Sequence, residues 1–253
     1  MLPLDIERDY RAFRAQVMHD VTRTALPRMA ASHLWRTDSE DDPQLLELAA
    51  LLGISSASLI DERKLRAKLR RLASRLSVQK QAQLSALLGR WVNEPSNHLI
   101  DQWVEEQVTA VSTQVDGWLA RAGVSLGALA ITHNVVVAGL NQLLTPEQAQ
   151  AEVSVGGAIA ASRARMGASA AVLNLNTALL GNVAVSQGLT SYRWVTEDDE
   201  VVRDNHAALH FSVQSWNSPP MGGGTKEDEE GHPGSGFGCR CEAEPIAAPI
   251  LPG

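Results

Sequence analysis

Between residues 6 and 118 apolar side chains return every third or fourth position, and this spacing constrains the fold more than any other feature. Ile6, Tyr10, Phe13, Val17 and Val21 form the first stripe, which predicts an amphipathic helix that ends at Pro27. An acidic, turn-rich run at 37–43 reads as a loop, after which Pro43 opens a short helix carrying Leu45, Leu46, Leu48 and Leu52 and stopped by Gly53. Leu65, Leu69, Leu72 and Leu76, continued by Leu84, Leu87 and Leu88, place a long helix over about 58–91. Ile100, Val104, Val108, Val111, Val115 and Trp118 form another, which Arg121-Ala122-Gly123 should end. An apolar helix over 125–144 follows, and Thr145-Pro146-Glu147 then reads as an N-cap with proline at the first helical position. Helical character continues to a C-cap at Gly188, with a break expected at Gly156-Gly157. The chain is therefore expected to be mainly α: long amphipathic helices in a bundle or array over 1–155, then a small α+β module over 156–253.

Composition supports that outline and narrows the function classes. Apolar residues make up 44% of the chain and aromatic residues only 4%, so a core of aliphatic helices is affordable. Two stretches, 122–146 and 166–192, carry no formal charge and reach the roughly 20 residues of a membrane span. Their asparagines and glutamines, with His133, favour buried helices of a soluble protein. A net charge of −7 argues against a surface wholly given to nucleic acid. Against that background Arg63, Lys64, Arg66, Lys68, Arg70, Arg71 and Arg75 crowd one helix. They read either as a solvated face balanced by acidic neighbours or as a contact for an anionic partner, packaged DNA or an acidic subunit face. The two cysteines offer no disulfide framework, which fits a reducing compartment. Residues 1–10 lack the basic start and apolar run of a signal peptide, and none is expected.

Both cysteines fall in 192–245, with three of the seven histidines and two of the six tryptophans. Tyr192, Trp194 and Thr196 alternate as a strand, and Thr196 would cap a helix over 197–210 with Glu197, Asp198 and Asp199 in its first turn. Val201, Val202, Ala208 and Leu209 would face inward, and His206 and His210 would share a face. Phe211, Val213 and Ser215 alternate as a second strand, stopped at 219–224. This segment has too little apolar material for a core of its own, so something must pin its Gly-rich loop at 231–238. A disulfide between Cys239 and Cys241 would be strained. The two thiolates could instead share a metal ion with His206 and either His232 or His210. Two small buried cysteines and a solvent-facing histidine pair would satisfy the same spacing. Trp194 and Trp216 read as core aromatics of the module or as interface anchors.

The pattern Y-x-W-x-T-x-x-D-x-x-V-R-x-x-H-x-x-L, followed by G-H-P and C-R-C-x-x-x-P, resembles the C-terminal domain of phage Mu F-like minor head proteins, the phage head-morphogenesis family. The resemblance spans roughly 160–249. Many relatives carry cysteines at the positions of Arg203 and His206, facing the C-R-C pair. By that comparison His206, Cys239 and Cys241 match three of four ligand positions of a structural zinc site, and Arg203 departs, leaving His232 or His210 as substitute. The resemblance implies a minor capsid protein of a tailed phage or phage-like particle. Such a protein would sit in the virion at the portal vertex or capsid interior, in several copies, bound to portal or major capsid protein, with a role in head morphogenesis and DNA ejection. It would contact no membrane.

Enzymatic motifs are absent from the sequence. There is no G-x-S-x-G elbow, no Walker A loop and no G-x-G-x-x-G after a strand. Gly222-Gly223-Gly224-Thr225-Lys226 looks phosphate-binding, but four acidic residues follow it, so a flexible surface loop is expected. Asp198, Asp199 and Glu200 beside His206 suggest a metal hydrolase, yet a catalytic zinc needs an open position and a general base. No catalytic residue is therefore assigned. Besides virion assembly, two further classes stand: a DNA-binding internal head protein using 63–75, and a metal-dependent hydrolase or toxin-like effector. For the last, the sequence closes at Gly253 soon after the C-R-C pair, and no fused effector domain is expected.

Overall fold

The computed structural model describes residues 4–31, 55–137, 146–197 and 199–247, with side chains at 4–25, 55–119, 158–197 and 199–247. The chain is mainly helical: α1 is Leu4–Ala31, α2 Ser56–Leu59, α3 Glu62–Leu88, α4 Asn97–Val137 and α5 Pro146–Ser186. Then come β1 Ser191–Val195, α6 Asp204–Ala208, β2 Val213–Ser215 and β3 Glu242–Pro245. The three strands make one antiparallel sheet in the order β2-β1-β3, with Tyr192 opposite Gln214 on one side and Pro245 on the other. The acidic run at 37–43, the helix expected at 43–52, and residues 138–145 lie outside the described residues.

Local chemistry sets most helix ends. The Asp61 carboxylate accepts the Lys64 N–H at 3.0 Å, so α3 starts at Glu62 rather than near 58. Gly89 at φ 62° and Gly188 at φ 80° close α3 and α5 in the left-handed conformation. Past each glycine the next amide reaches back into the helix, Arg90 N to Ser85 O (3.2 Å) and Leu189 N to Ala184 O (2.9 Å). Three expected interruptions do not occur. α1 runs through position 27 to Ala31, α4 through 121–123 to Val137, and α5 through 156–157. An interior glycine costs about 1 kcal/mol of helix propensity and an interior proline about 3 kcal/mol, and the long flanking runs of good helix formers offset these.

The chain forms two compact units, one from residues 1–11, 66–107 and 166–253, the other from 12–65 and 108–165. In the second, Met18, Val21, Val115, Trp118 and Leu119 pack on Ala160 and Ala164. There Ser56 donates its backbone N–H and hydroxyl to the two Asp116 oxygens, both at 2.9 Å. In the first, Leu84 of α3, Val92, and Leu180, Val183 and Ala184 of α5 enclose Tyr192, Trp194 and Trp216 with both cysteines. The C-terminal strands thus take their core from α3 and α5, in line with their own shortage of apolar residues. Trp194 (0% exposed) and Trp216 (8%) are core aromatics, not interface anchors. Of the second stripe, Leu65, Leu69, Leu72, Leu76 and Leu84 are buried, while Leu87 is exposed. By length and apolarity Ala158–Ser186 could cross a membrane, but 61% of an 18-residue apolar stretch within it is buried, as in a core helix.

Candidate metal centre

The long helix expected over 197–210 is absent, because local hydrogen bonds hold the chain in turns. Asp199 accepts the Val201 N–H on its carboxylate (3.1 Å) and the Val202 N–H on its carbonyl (3.1 Å), a geometry that competes with helix. No helix starts at Thr196; its N–H and its hydroxyl meet His210 Nδ1 at 3.1 and 2.9 Å. Only Asp204–Ala208 is helical, and that single turn carries His206 inward to 2% exposure. Here the first-turn acids have another task. Asp199 takes one guanidinium nitrogen of Arg240 at 2.7 and 2.5 Å, tying the turn to the residue between the two cysteines.

The loop after β2 wraps the histidine. Gly224 offers its carbonyl to His206 Nε2 at 2.8 Å, and Asn205 Nδ2 donates to Gly222 O at 2.6 Å. Gly222, Gly223 and Gly224 are buried, so this stretch is not the flexible surface loop expected from its composition. Nor is it a phosphate cradle. The Gly222 and Gly224 amides donate to Glu229 O, and the Thr225 and Lys226 amides to the Glu229 carboxylate. Close backbone packing explains the glycines. A Cβ on Gly223 would lie 1.9 Å from Gly231 O, and one on Gly234, at φ 88°, 2.7 Å from Leu173 O.

His206, Cys239 and Cys241 converge, all buried, with their ligand atoms within 4.8 Å of one another. Both thiols are free of disulfide. Because Nε2 faces the Gly224 carbonyl, His206 carries its proton there and turns Nδ1, 3.5 Å from Cys241 Sγ, toward the sulfurs. Cys239 Sγ accepts the Gly234 and Cys241 amides at 3.3 and 3.4 Å. Cys241, those amides and His206 hold the Cys239 thiol well below its usual range, whereas the Cys239 sulfur and burial push Cys241 up. The Cys239 sulfur in turn raises His206 against its burial. The buried Trp194 indole N–H has no hydrogen-bond partner, yet it lies close enough to Cys241 to favour its ionised form. Amide donors on the Cys239 sulfur, with a carbonyl fixing the imidazole tautomer, are surroundings that suit a thiolate–imidazole metal site.

The other sequence candidates lie elsewhere. His232 is outside this group; its Nδ1 is 2.9 Å from Tyr192 Oη, and its ring packs on Tyr192 and Trp216. His210 serves Thr196 and stacks on Phe211 at 3.8 Å. Arg203 holds the loop directly by donating to the Phe237 carbonyl. Along α3, Lys64 pairs with Asp61, Arg66 with Glu105, Arg70 with Asp101, and Arg75 with both Asp5 and Asp9. Arg63 is exposed, Lys68 half-buried, and Arg71 donates to its own helix at Ala67 O. The residues that sequence reasoning missed are Gly224, Gly234 and Trp194; glycine clustering was the only signal of a tight backbone wrap.

The stretch that builds this centre also carries a family signature. Residues 131–244 match the phage Mu protein F like protein family. The match starts upstream of the resemblance read at 160–249 and takes in the whole of α5, the helix on which the C-terminal sheet packs. The family is one of structural phage head proteins. No curated protein and no solved structure matches the chain.

Proposed function

We propose that this protein is a minor head protein of a tailed phage or phage-like particle, acting in head morphogenesis at the portal vertex or capsid interior. The observation that carries the reading is the Mu F-like match over 131–244, the stretch that contains the His206, Cys239 and Cys241 cluster. In this reading the helical region 1–155 supplies contacts to portal or major capsid subunits, and 156–253 is a second docking module. His206, Cys239 and Cys241 hold a structural zinc ion that pins the Gly-rich loop to the sheet, with the fourth position taken by a shift of His232. Several copies act per particle, and DNA ejection is the later step in which such a protein takes part. No catalytic role is assigned to a centre so fully buried.

The basic helix as a DNA contact is the weaker alternative, because carboxylates already face Lys64, Arg66, Arg70 and Arg75. The deciding experiment is co-expression with the portal and major capsid proteins, followed by affinity capture and particle purification. Capture of either subunit, and presence in assembled heads, is the expected result. Absence from particles together with no capture of either subunit would sink the proposal.

A further inference from the structure

Eleven of the chain's 29 acidic residues, but only four of its 22 lysines and arginines, lie in 188–253, so this stretch carries the whole net charge of −7. Four of those acids sit on the loop after β2. Met221 and Glu230 pair across that loop as an isolated antiparallel bridge, and Glu229 already holds Lys226 at 3.6 Å. The Phe237 N–H donates to Thr225 Oγ1 at 3.0 Å. Glu227, Asp228 and Glu230 are exposed, and among the described residues none of them meets a cation. Met221 (60% exposed) stands at the Glu230 end of the loop and Phe237 (49%) at the Thr225 end. A surface of opposite sign lies on α5. There Ala160, Ala164 and Ala168 are buried, whereas Ile159 (49% exposed), Arg163 and Met166 (45%) recur at four and three residues on the solvent side. This stripe is about 10 Å long. Arg163 and Arg165 are exposed, and among the described residues neither meets a carboxylate.

We infer that the acidic loop of one copy docks on the α5 stripe of a second copy, with carboxylates on Arg163 and Arg165 and with Met221 and Phe237 against Ile159 and Met166. Charge selects the occupant from both sides. Along α3 the arginines already face carboxylates of their own chain, whereas here neither the acids nor the guanidinium groups are neutralised within the chain. The acidic loop repels a nucleic-acid backbone, so its occupant is a basic protein surface, and this chain carries one. The apolar side chains at both ends of each patch add contact area that exposed ion pairs alone do not supply. The loop is held by its own backbone, through the Gly222 and Gly224 amides on Glu229 O, so docking orders little of it. Because the two patches differ, the contact is heterologous: copies join head to tail, into a closed ring or an open row. The inference goes beyond the head-protein reading and does not depend on it, since it concerns how copies meet one another.

The test is sedimentation velocity of the full chain at about 100 μM in about 0.1 M and about 1 M salt, where the screening length falls from about 10 Å to about 3 Å. Oligomers present at the lower salt should dissociate at the higher. Glu227→Lys with Asp228→Lys, and separately Arg163→Glu with Arg165→Glu, should each weaken association at least about tenfold with the circular dichroism spectrum unchanged. An equimolar mixture of these two variants should recover association, because each supplies the charge that the other has reversed. Met221→Ser, at an exposed position, should weaken it as well. If either charge reversal disturbs the spectrum, the near-isosteric Asp228→Asn and Arg163→Met read the same loss. A monomer at both salts, association indifferent to salt, or no recovery on mixing would overturn the inference. Any of these leaves capture by portal or major capsid protein unaffected, so the two readings fail separately.

Discussion

Lys80 is 3% exposed on α3, a lysine in the core of the unit that carries the C-terminal sheet. Its ammonium donates to Gln83 Oε1 at 2.9 Å and feels Glu242 of β3, yet burial still lowers its pKa from 10.5 to about 8. Converted at 1.36 kcal/mol per pKa unit, that drop is about 3 kcal/mol of unfavourable differential energy for the charged form. The sign follows from linkage. Between pH 8 and 10.5 the unfolded chain holds the proton that the folded chain has released, so folding stability contributed by this site rises with pH across that window. Below pH 8 the full cost of the buried charge remains. Lys80→Met removes the charge and keeps the volume, so it should stabilise the protein at pH 7 by about 1–3 kcal/mol. The advantage should shrink steadily above pH 8 and vanish near 10.5. Urea denaturation of both proteins at pH 7, 8, 9 and 10 measures the difference while cancelling every other titration. A variant less stable than the parent at pH 7, with a gap flat from pH 8 to 10, would refute the reasoning.

Three further outcomes bear on the metal centre and its surroundings. Purified protein should carry about one zinc per chain by elemental analysis, and Cys239→Ser should lose the metal and lower the melting temperature, whereas equal metal content in both would remove the site. Gly234→Ala should cost more than about 2 kcal/mol, because it places a Cβ 2.7 Å from the Leu173 carbonyl at φ 88°; an unchanged melting temperature contradicts the backbone wrap. His232 has its pKa lowered by burial, so its contribution is intact above about pH 6.5 and declines as the pH falls through that value. His232→Gln should therefore flatten the loss of stability between pH 7 and 5, and parallel pH profiles for the two proteins would count against it.

Apolar spacing made the helices legible, because a stripe at three and four residues is a tertiary requirement written into one dimension. It carried the identity of α1, α3 and α4 and most of their buried leucines and valines. Helix ends were legible where a residue does something only an end needs, as Gly89 and Gly188 do by turning left-handed. They were misread where Gly123, Gly156 and Gly157 sit within continuous helix, since glycine alone does not say which conformation it takes. Within the C-terminal module, β1 and the convergence of His206 with Cys239 and Cys241 were visible in the spacing. The short α6 was overcalled as a long helix, because propensity cannot weigh Asp199 bonding to the amide two residues on. β3 at Glu242–Pro245 went unseen: its alternation is too brief, and its pairing with β1 is non-local. The roles of Gly224 and Trp194 depend on where a carbonyl and an indole N–H point, which no spacing records.

The sheet's dependence on α3 leads to a last outcome. A fragment of 156–253 keeps most of α5 and all three strands, and it keeps His206, Cys239 and Cys241. It loses Leu84 (0% exposed) and Val92 (1%), together with the partly buried Leu88, all of which pack in the cluster containing Tyr192, Trp194 and Trp216. At roughly 1.5–3 kcal/mol for each fully buried aliphatic side chain, the loss is about 3–6 kcal/mol, comparable with the whole stability of a small domain. A metal ion could offset part of that, since its binding energy is folding energy when the site is absent from the unfolded chain. The fragment should therefore be unfolded by near-ultraviolet circular dichroism without zinc and should gain tertiary signal when zinc is added. Cys239→Ser in the same fragment should abolish that gain. A fragment equally folded with and without zinc would mean that the strands hold themselves together, and neither α3 nor the clasp would then be needed to keep the module in shape.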